Sequence, residues 1–138
     1  MKRFLIVAVV IFALPIVALA AVQEFERFKL NVPEDWTVEQ GELSVMLLKN
    51  DGTASFTITL PEKQPGDSAE NLAAVMSQAL GGTMPEAGKD GVYTFTAQGG
   101  QIRVVIADEG AYYFVVSMFG PATESAAFDA ILNSIEKK

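Results

Sequence analysis

Residues 91–119, GVYTFTAQGGQIRVVIADEGAYYFVVSMF, carry the clearest structural signal in the chain. Gly91 to Gln98, Gln101 to Ala107 and Ala111 to Phe119 are rich in β-branched and aromatic residues, with only Gly99-Gly100 and Asp108-Glu109-Gly110 between them. Breaks that short join antiparallel neighbours, because glycine takes the positive φ of a tight turn at no steric cost. A parallel pair would need a crossover of about a dozen residues or more. The stretch therefore predicts a three-stranded antiparallel meander.

Working toward the N-terminus, Leu72, Val75, Met76, Ala79 and Leu80 recur at i, i+3, i+4, i+7 and i+8, the stripe of an amphipathic helix packed on a sheet. Asp67 and Glu70 have capping-box spacing ahead of it, and Gly81-Gly82 ends it. Further upstream, Phe28, Leu30 and Val32 alternate, Pro33-Glu34-Asp35 turns the chain, and Trp36-Thr37-Val38 follows. Leu43, Val45 and Leu47 share one face of the next strand and Met46 and Leu48 the other, which predicts a central strand covered on both sides. Asn50-Asp51-Gly52 marks a hairpin into Phe56, Ile58 and Leu60, which alternate with Ser55, Thr57 and Thr59 and leave one face to water. Beyond Gly120-Pro121, Phe128, Ile131, Leu132 and Ile135 fall on one helical face, with Lys137 and Lys138 set to complement the helix dipole. Strands grouped ahead of each helix favour an α+β fold, an antiparallel sheet of about six to seven strands with two main helices packed on it, over a doubly wound parallel sheet.

The first twenty residues read as a cleavable secretory signal. Lys2 and Arg3 precede an apolar run from Phe4 to Leu14, and Ala18, Ala20 and Ala21 form the cleavage site, with the cut after Ala20. An uncleaved inner-membrane anchor is the competing reading, since Phe4 to Val22 is uncharged over a spanning length. Pro15, a helix breaker just ahead of the Ala-x-Ala site, argues for cleavage. The expected location is periplasmic or secreted. Residues 21–138 then make a single domain. Lys2 and Arg3 are two of the ten basic residues and none of the 17 acids precedes residue 21, so eight bases against 17 acids leave a net charge of −9. Such a balance argues against nucleic acid and anionic lipid as partners.

Phe28-x-Leu30-x-Val32-Pro33-Glu34-Asp35-Trp36, the helix after Asp67-Ser68-Ala69-Glu70, the Gly91-x-Tyr93-x-Phe95 and Tyr112-Tyr113 strands, and the closing Phe128-x-x-Ile131-Leu132-x-Ser134-Ile135 resemble, taken together, the PsbP-like and DcrB-like superfamily. That resemblance covers nearly the whole of residues 21–138 and implies an α/β/α sandwich whose members bind rather than catalyse. It carries over no functional residue, and Pro33 and Trp36 look like fold residues.

The chain has no His and no Cys, which excludes Ser-His-Asp and Cys-His nucleophile systems and the nitrogen and sulfur ligands of ordinary zinc sites. No cofactor is expected. Gly82 to Asp90 has the wrong spacing for a phosphate loop, and neither Glu34-Asp35 nor Asp108-Glu109 has the spaced ligands of a calcium loop. Those two acidic pairs would serve a small carboxylate enzyme only if they converged in a cleft, and turn residues is the plainer reading. Trp36 is expected in the core. Tyr112 and Tyr113 are neighbours on a strand and must face opposite ways, one of them lining a surface or groove. Arg103, the single charge from Ile102 to Ile106, sits on a solvated face or reaches an anionic partner. Arg103, Tyr112 and Tyr113 are the candidate partner contacts. The function this supports is an exported, non-catalytic accessory or binding protein of the envelope, acting on an unknown envelope protein. A carrier or chaperone-like domain with an apolar groove is the alternative.

Overall fold

The computed structural model describes residues 21–138. The expected signal, including Ala18 and Ala20, lies outside the described residues. Ten strands and two α-helices follow. Strands β1 (Ala21–Glu24) and β2 (Phe28–Val32) lead into the hairpins of β3 (Trp36–Gln40), β4 (Ser44–Lys49) and β5 (Ser55–Thr59). Helix α1 (Ala69–Leu80), β6 (Glu86–Ala87), β7 (Tyr93–Ala97), β8 (Ile102–Asp108) and β9 (Tyr113–Phe119) come next, then α2 (Ser125–Ser134) and β10 (Glu136–Lys137).

The expected meander is β7-β8-β9, each strand antiparallel to the next. It joins a second meander, β3-β4-β5, through an antiparallel β5–β9 pair, which builds a seven-stranded sheet in the order β3-β4-β5-β9-β8-β7-β6. The fold is α+β, with the two helices on opposite faces of this sheet.

Five expectations are corrected, four of them in the strands and α1. The central strand is β9, in which all but two residues are buried; β4 lies next to the edge, and its Met46 and Leu48 are each 36% exposed. Phe28–Val32 is not part of the large sheet, since β2 pairs with β1 and β10 in a separate three-stranded sheet. Ser68, not Asp67, caps α1: its hydroxyl accepts from the Asn71 amide at 3.1 Å, so the capping-box partner Glu70 falls one residue short of the required position. The buried stripe of α1 is accordingly Ala69, Leu72, Ala73, Met76 and Ser77, while Val75 is 63% exposed.

At the other end Ile135 leaves helical geometry, and the chain continues as β10 instead of lending Lys137 and Lys138 to the α2 dipole. Those lysines pair with Glu109 and Glu24. At the end of α1, Gly81 takes the left-handed cap (φ 67°) and Gly82 follows against β7.

Each face of the large sheet is covered over only part of its width, and the two covers are staggered. On one face β2 and α2 close over Trp36, Leu47, Phe56, Ile58, Val116 and Met118, with the Trp36 and Phe128 rings edge-on at 6.2 Å. On the other, α1 covers Phe95, Val104, Ile106, Tyr113 and Val115, at the β7-β8-β9 side. The β3-β4-β5 part of that second face carries no helix.

Candidate functional site

Strand alternation determines what the uncovered half-face presents. With Val45 and Leu47 turned into the core, β4 turns Ser44, Met46 and Leu48 outward, and β5 does the same with Ser55, Thr57 and Thr59. Register places Met46 beside Thr57 and Thr57 beside Ser117, and places Thr37, Leu48, Ser55 and Phe119 in one row across four strands. Phe119 is 48% exposed. The surface is thus a largely uncharged strip of hydroxyls set with three large apolar side chains, with Glu39 as the acid on its β3 edge.

A cleft of about 210 Å³ lies at the end of the same sheet, where the β3–β4 turn meets Phe25, Phe28, Leu60 and Tyr112. A shallower groove of about 460 Å³ runs between α2 and the β7-β8 side of the opposite face, past Thr94, Thr96, Arg103 and Asp129.

The three candidate contacts are not brought together. Arg103 lies in the groove, where its guanidinium donates to Asp129 at 2.7 Å and to the Met118 sulfur at 3.3 Å. Tyr112 is half-buried in the cleft wall with the Arg27 guanidinium 4.4 Å from its ring centre. Tyr113 faces the other way and is 2% exposed beneath α1, where burial pushes its phenol above the usual tyrosine range. Trp36 is buried in the core.

The acidic pairs of the sequence occupy turns and do not converge. Asp108 accepts from Lys63 at 2.6 Å and from the Gly110 amide at 2.8 Å, and the lysine holds its carboxyl below the ordinary aspartate range, the opposite of what a general acid needs. Glu109 pairs with Lys137, and Glu34 and Asp35 are exposed in the β2–β3 turn. Among the described residues no three acidic side chains are placed to hold a metal ion, and no helix is long and apolar enough to cross a membrane.

Sequence reasoning missed Met46, Leu48 and Phe119 as surface residues, because two apolar faces on one strand signal burial and nothing local shows where a helix stops. It also missed Glu26, Glu42 and Glu62 at the cleft, which come from the β1–β2 turn, the β3–β4 turn and the segment after β5, where Glu62 bridges to Tyr112.

No family model and no curated protein matches the chain. Among solved structures it is similar to a 1.50 Å crystal structure from Bacteroides thetaiotaomicron, with 19% identity and a TM-score of 0.45 over 80% of this chain and 45% of that one. The chain thus spans less than half the length of that protein.

Proposed function

We propose that the chain is an exported, non-catalytic binding protein of the bacterial envelope, related to the PsbP-like and DcrB-like group, that docks a protein partner on the open half-face of its large sheet. The supporting observation is that half-face: Met46 and Leu48 on β4 and Phe119 on β9 stand in a run of four hydrogen-bonded strands, β3-β4-β5-β9, with hydroxyl side chains between them and no helix over them. Apolar anchors ringed by small polar groups on rigid backbone suit a docking surface, because the strands that carry them are already ordered and little backbone entropy remains to be lost on binding. Export rests on residues 1–20, with Ala18, Ala20 and Ala21 as the processing site.

The test replaces Met46 and Leu48 by Glu and recovers the C-terminally tagged protein from its host's envelope after cross-linking. Wild type should carry one dominant partner and begin at Ala21, and the double variant should be folded, exported and free of that partner. Retention of the partner would overturn the surface assignment, and a bait beginning at Met1 would overturn the export reading. The cleft lined by Phe25, Phe28, Leu60 and Tyr112 favours, as a second reading, a carrier of a small apolar ligand.

A further inference from the structure

Of the strands that end a sheet, β3 is the longest, with five residues against four in β1 and two each in β6 and β10. Its inner side pairs with β4. The Gly41 amide donates to the Ser44 carbonyl at 2.8 Å and the Asn50 amide to the Asp35 carbonyl at 2.9 Å, so Gly41–Ser44 and Asp35–Asn50 are hydrogen-bonded pairs at the two ends of that ladder. Bonded and non-bonded pairs alternate between antiparallel strands, which makes Thr37–Leu48 and Glu39–Met46 the bonded pairs between them. The N–H and C=O groups of Val38 and Gln40 and the Trp36 carbonyl therefore point away from β4, and no hydrogen bond reaches them among the described residues. The Trp36 amide turns back to the Pro33 carbonyl at 3.2 Å. Edge strands are commonly blunted by proline, lysine or a bulge, and β3 has none of these. What its sequence rejects is its own copy. Antiparallel pairing about Val38 sets Glu34 against Glu42 of a second copy, and pairing about Thr37 or Glu39 sets Asp35 against Glu39 or Glu39 against itself. Like charges directly opposite each other destabilise a strand pair.

We infer that β3 takes up an extended, basic segment of a partner protein, which adds antiparallel to it as an eighth strand of the seven-stranded sheet. The outward groups of Val38 and Gln40 and the Trp36 carbonyl receive the backbone of that segment, and its alternate side chains decide which sequence fits. The residue opposite Glu39 lies on the half-face side, with Cβ atoms about 4.5–5.5 Å apart, where Lys or Arg is attracted and Glu repelled. Glu39 is exposed and forms no ion pair among the described residues. The residue opposite Val38 turns to the other side, beside a half-buried valine packed on the core, where a β-branched apolar residue fits. The same charge that sets two copies against each other draws a basic strand in. This inference names a kind of partner for the docking reading but uses the β3 edge, to which Met46 and Leu48 do not belong, so either can fail alone.

The test is an amide NMR titration of the protein purified after expression of the full chain, with the capped peptide Thr-Lys-Val-Thr-Val, whose residues lie in order opposite Gln40 to Trp36. The Val38 and Gln40 amides should move downfield and slow in hydrogen exchange, while those of Thr37 and Glu39, already bonded to β4, should move less. Glu in place of the peptide Lys should weaken binding roughly five- to tenfold at low salt, a margin that narrows as salt is added and reverses in Glu39→Lys. N-methylation of the central Val of the peptide, whose N–H faces β3, should abolish binding, and N-methylation of its Lys, whose N–H faces away, should not. Gln40→Pro, at an exposed position, removes an outward N–H that the free protein does not use, and should fold yet bind the peptide weakly. Equal affinity for the Lys and Glu peptides would overturn the proposal. So would shifts that ignore the alternation, undiminished binding of the centrally methylated peptide or by a folded Gln40→Pro variant, or no saturable binding. Shifts at Val38 and Gln40 that grow with protein concentration alone would make the occupant a second copy and overturn it equally.

Discussion

Gly82→Ala isolates one contact on which the seating of α1 depends. The residue follows the left-handed cap at Gly81 and presses against β7, and a Cβ built on it would lie 2.7 Å from the Thr96 carbonyl oxygen, 3.1 Å from the Phe95 ring and 3.1 Å from the Ser77 hydroxyl. The first of these is backbone of β7, held in register against β8, so it cannot swing aside. The same spot holds two hydrogen bonds that close the helix end, Gly82 amide to Ser77 carbonyl at 2.7 Å and Ser77 hydroxyl to Thr83 carbonyl, and two that tie the next residue to the sheet, Thr83 amide to Thr96 carbonyl at 2.8 Å and Thr96 amide to the Thr83 hydroxyl at 3.1 Å. An added methyl must lift the helix end from β7 and stretch them. Overpacking of this kind costs about 1–3 kcal/mol, against a gain of about 0.4–1 kcal/mol from the stiffer unfolded chain. The net loss is about 1–2 kcal/mol, which lowers Tm by roughly 4–8 °C in a domain of this size. Gly81→Ala is the informative companion, since no atom lies within 4 Å of its Cβ and its φ of 67° alone makes Ala costly. Gly81→Asn should therefore recover part of the loss, whereas no side chain at 82 should. Thermal and urea unfolding of the variants provide the readout. A Gly82→Ala protein as stable as wild type would refute the close approach of α1 to β7.

Leu47→Ala, at a fully buried site, should cost about 2–5 kcal/mol, whereas Leu48→Ala next door should cost well under half of that, a difference urea midpoints resolve. Phe128→Ala should remove the edge-on ring that covers Trp36, the single tryptophan of the chain, and red-shift its fluorescence. Asp51 and Asp108 have lowered carboxyl pKa values, the first held by hydrogen bonds from Thr53 and the second by Lys63, so what they contribute is present above the unfolded value near 3.8 and is lost as pH falls through the folded one. Asp108→Asn should flatten that acid limb of the stability curve. Lys49, Lys63 and Tyr113 are shifted upward, the lysines by hydrogen bonds to Glu124 and Asp108 and the phenol by burial, so stability should decline above about pH 10 as the unfolded chain releases their protons first; Tyr113→Phe should remove its share in an alkaline denaturation series.

Short-range pattern made the meander 91–119, the β4–β5 hairpin and both helices readable, because a two- or three-residue turn and a period of 3.6 are local properties. Which strands meet across the molecule is not local. The β5–β9 junction that puts β9 at the centre is separated in sequence by a helix and three strands, so β4, with two apolar faces, looked like the central strand. Strand β10 was hidden because two residues, Glu136 and Lys137, form a strand only when β2 offers an edge. The stripe of α1 was misplaced because Ala73 and Ser77 fit closely against the sheet while Val75 faces water: hydrophobicity named one side and close packing selected another. At the candidate sites, the opposite facing of Tyr112 and Tyr113 was readable from alternation, but the cleft that Tyr112 lines is assembled from the β1–β2 turn, the β3–β4 turn and the segment after β5, which are distant in sequence.

Site-specific photo-cross-linking in the native host tests the docking surface most directly, with the photoreactive residue at position 48 or 119 on the open half-face and, as a control, at position 75 on the exposed side of α1. The account expects one and the same adduct from 48 and 119 and none from 75. Adducts from 75 with none from 48 or 119, or no adduct at any position, would contradict it.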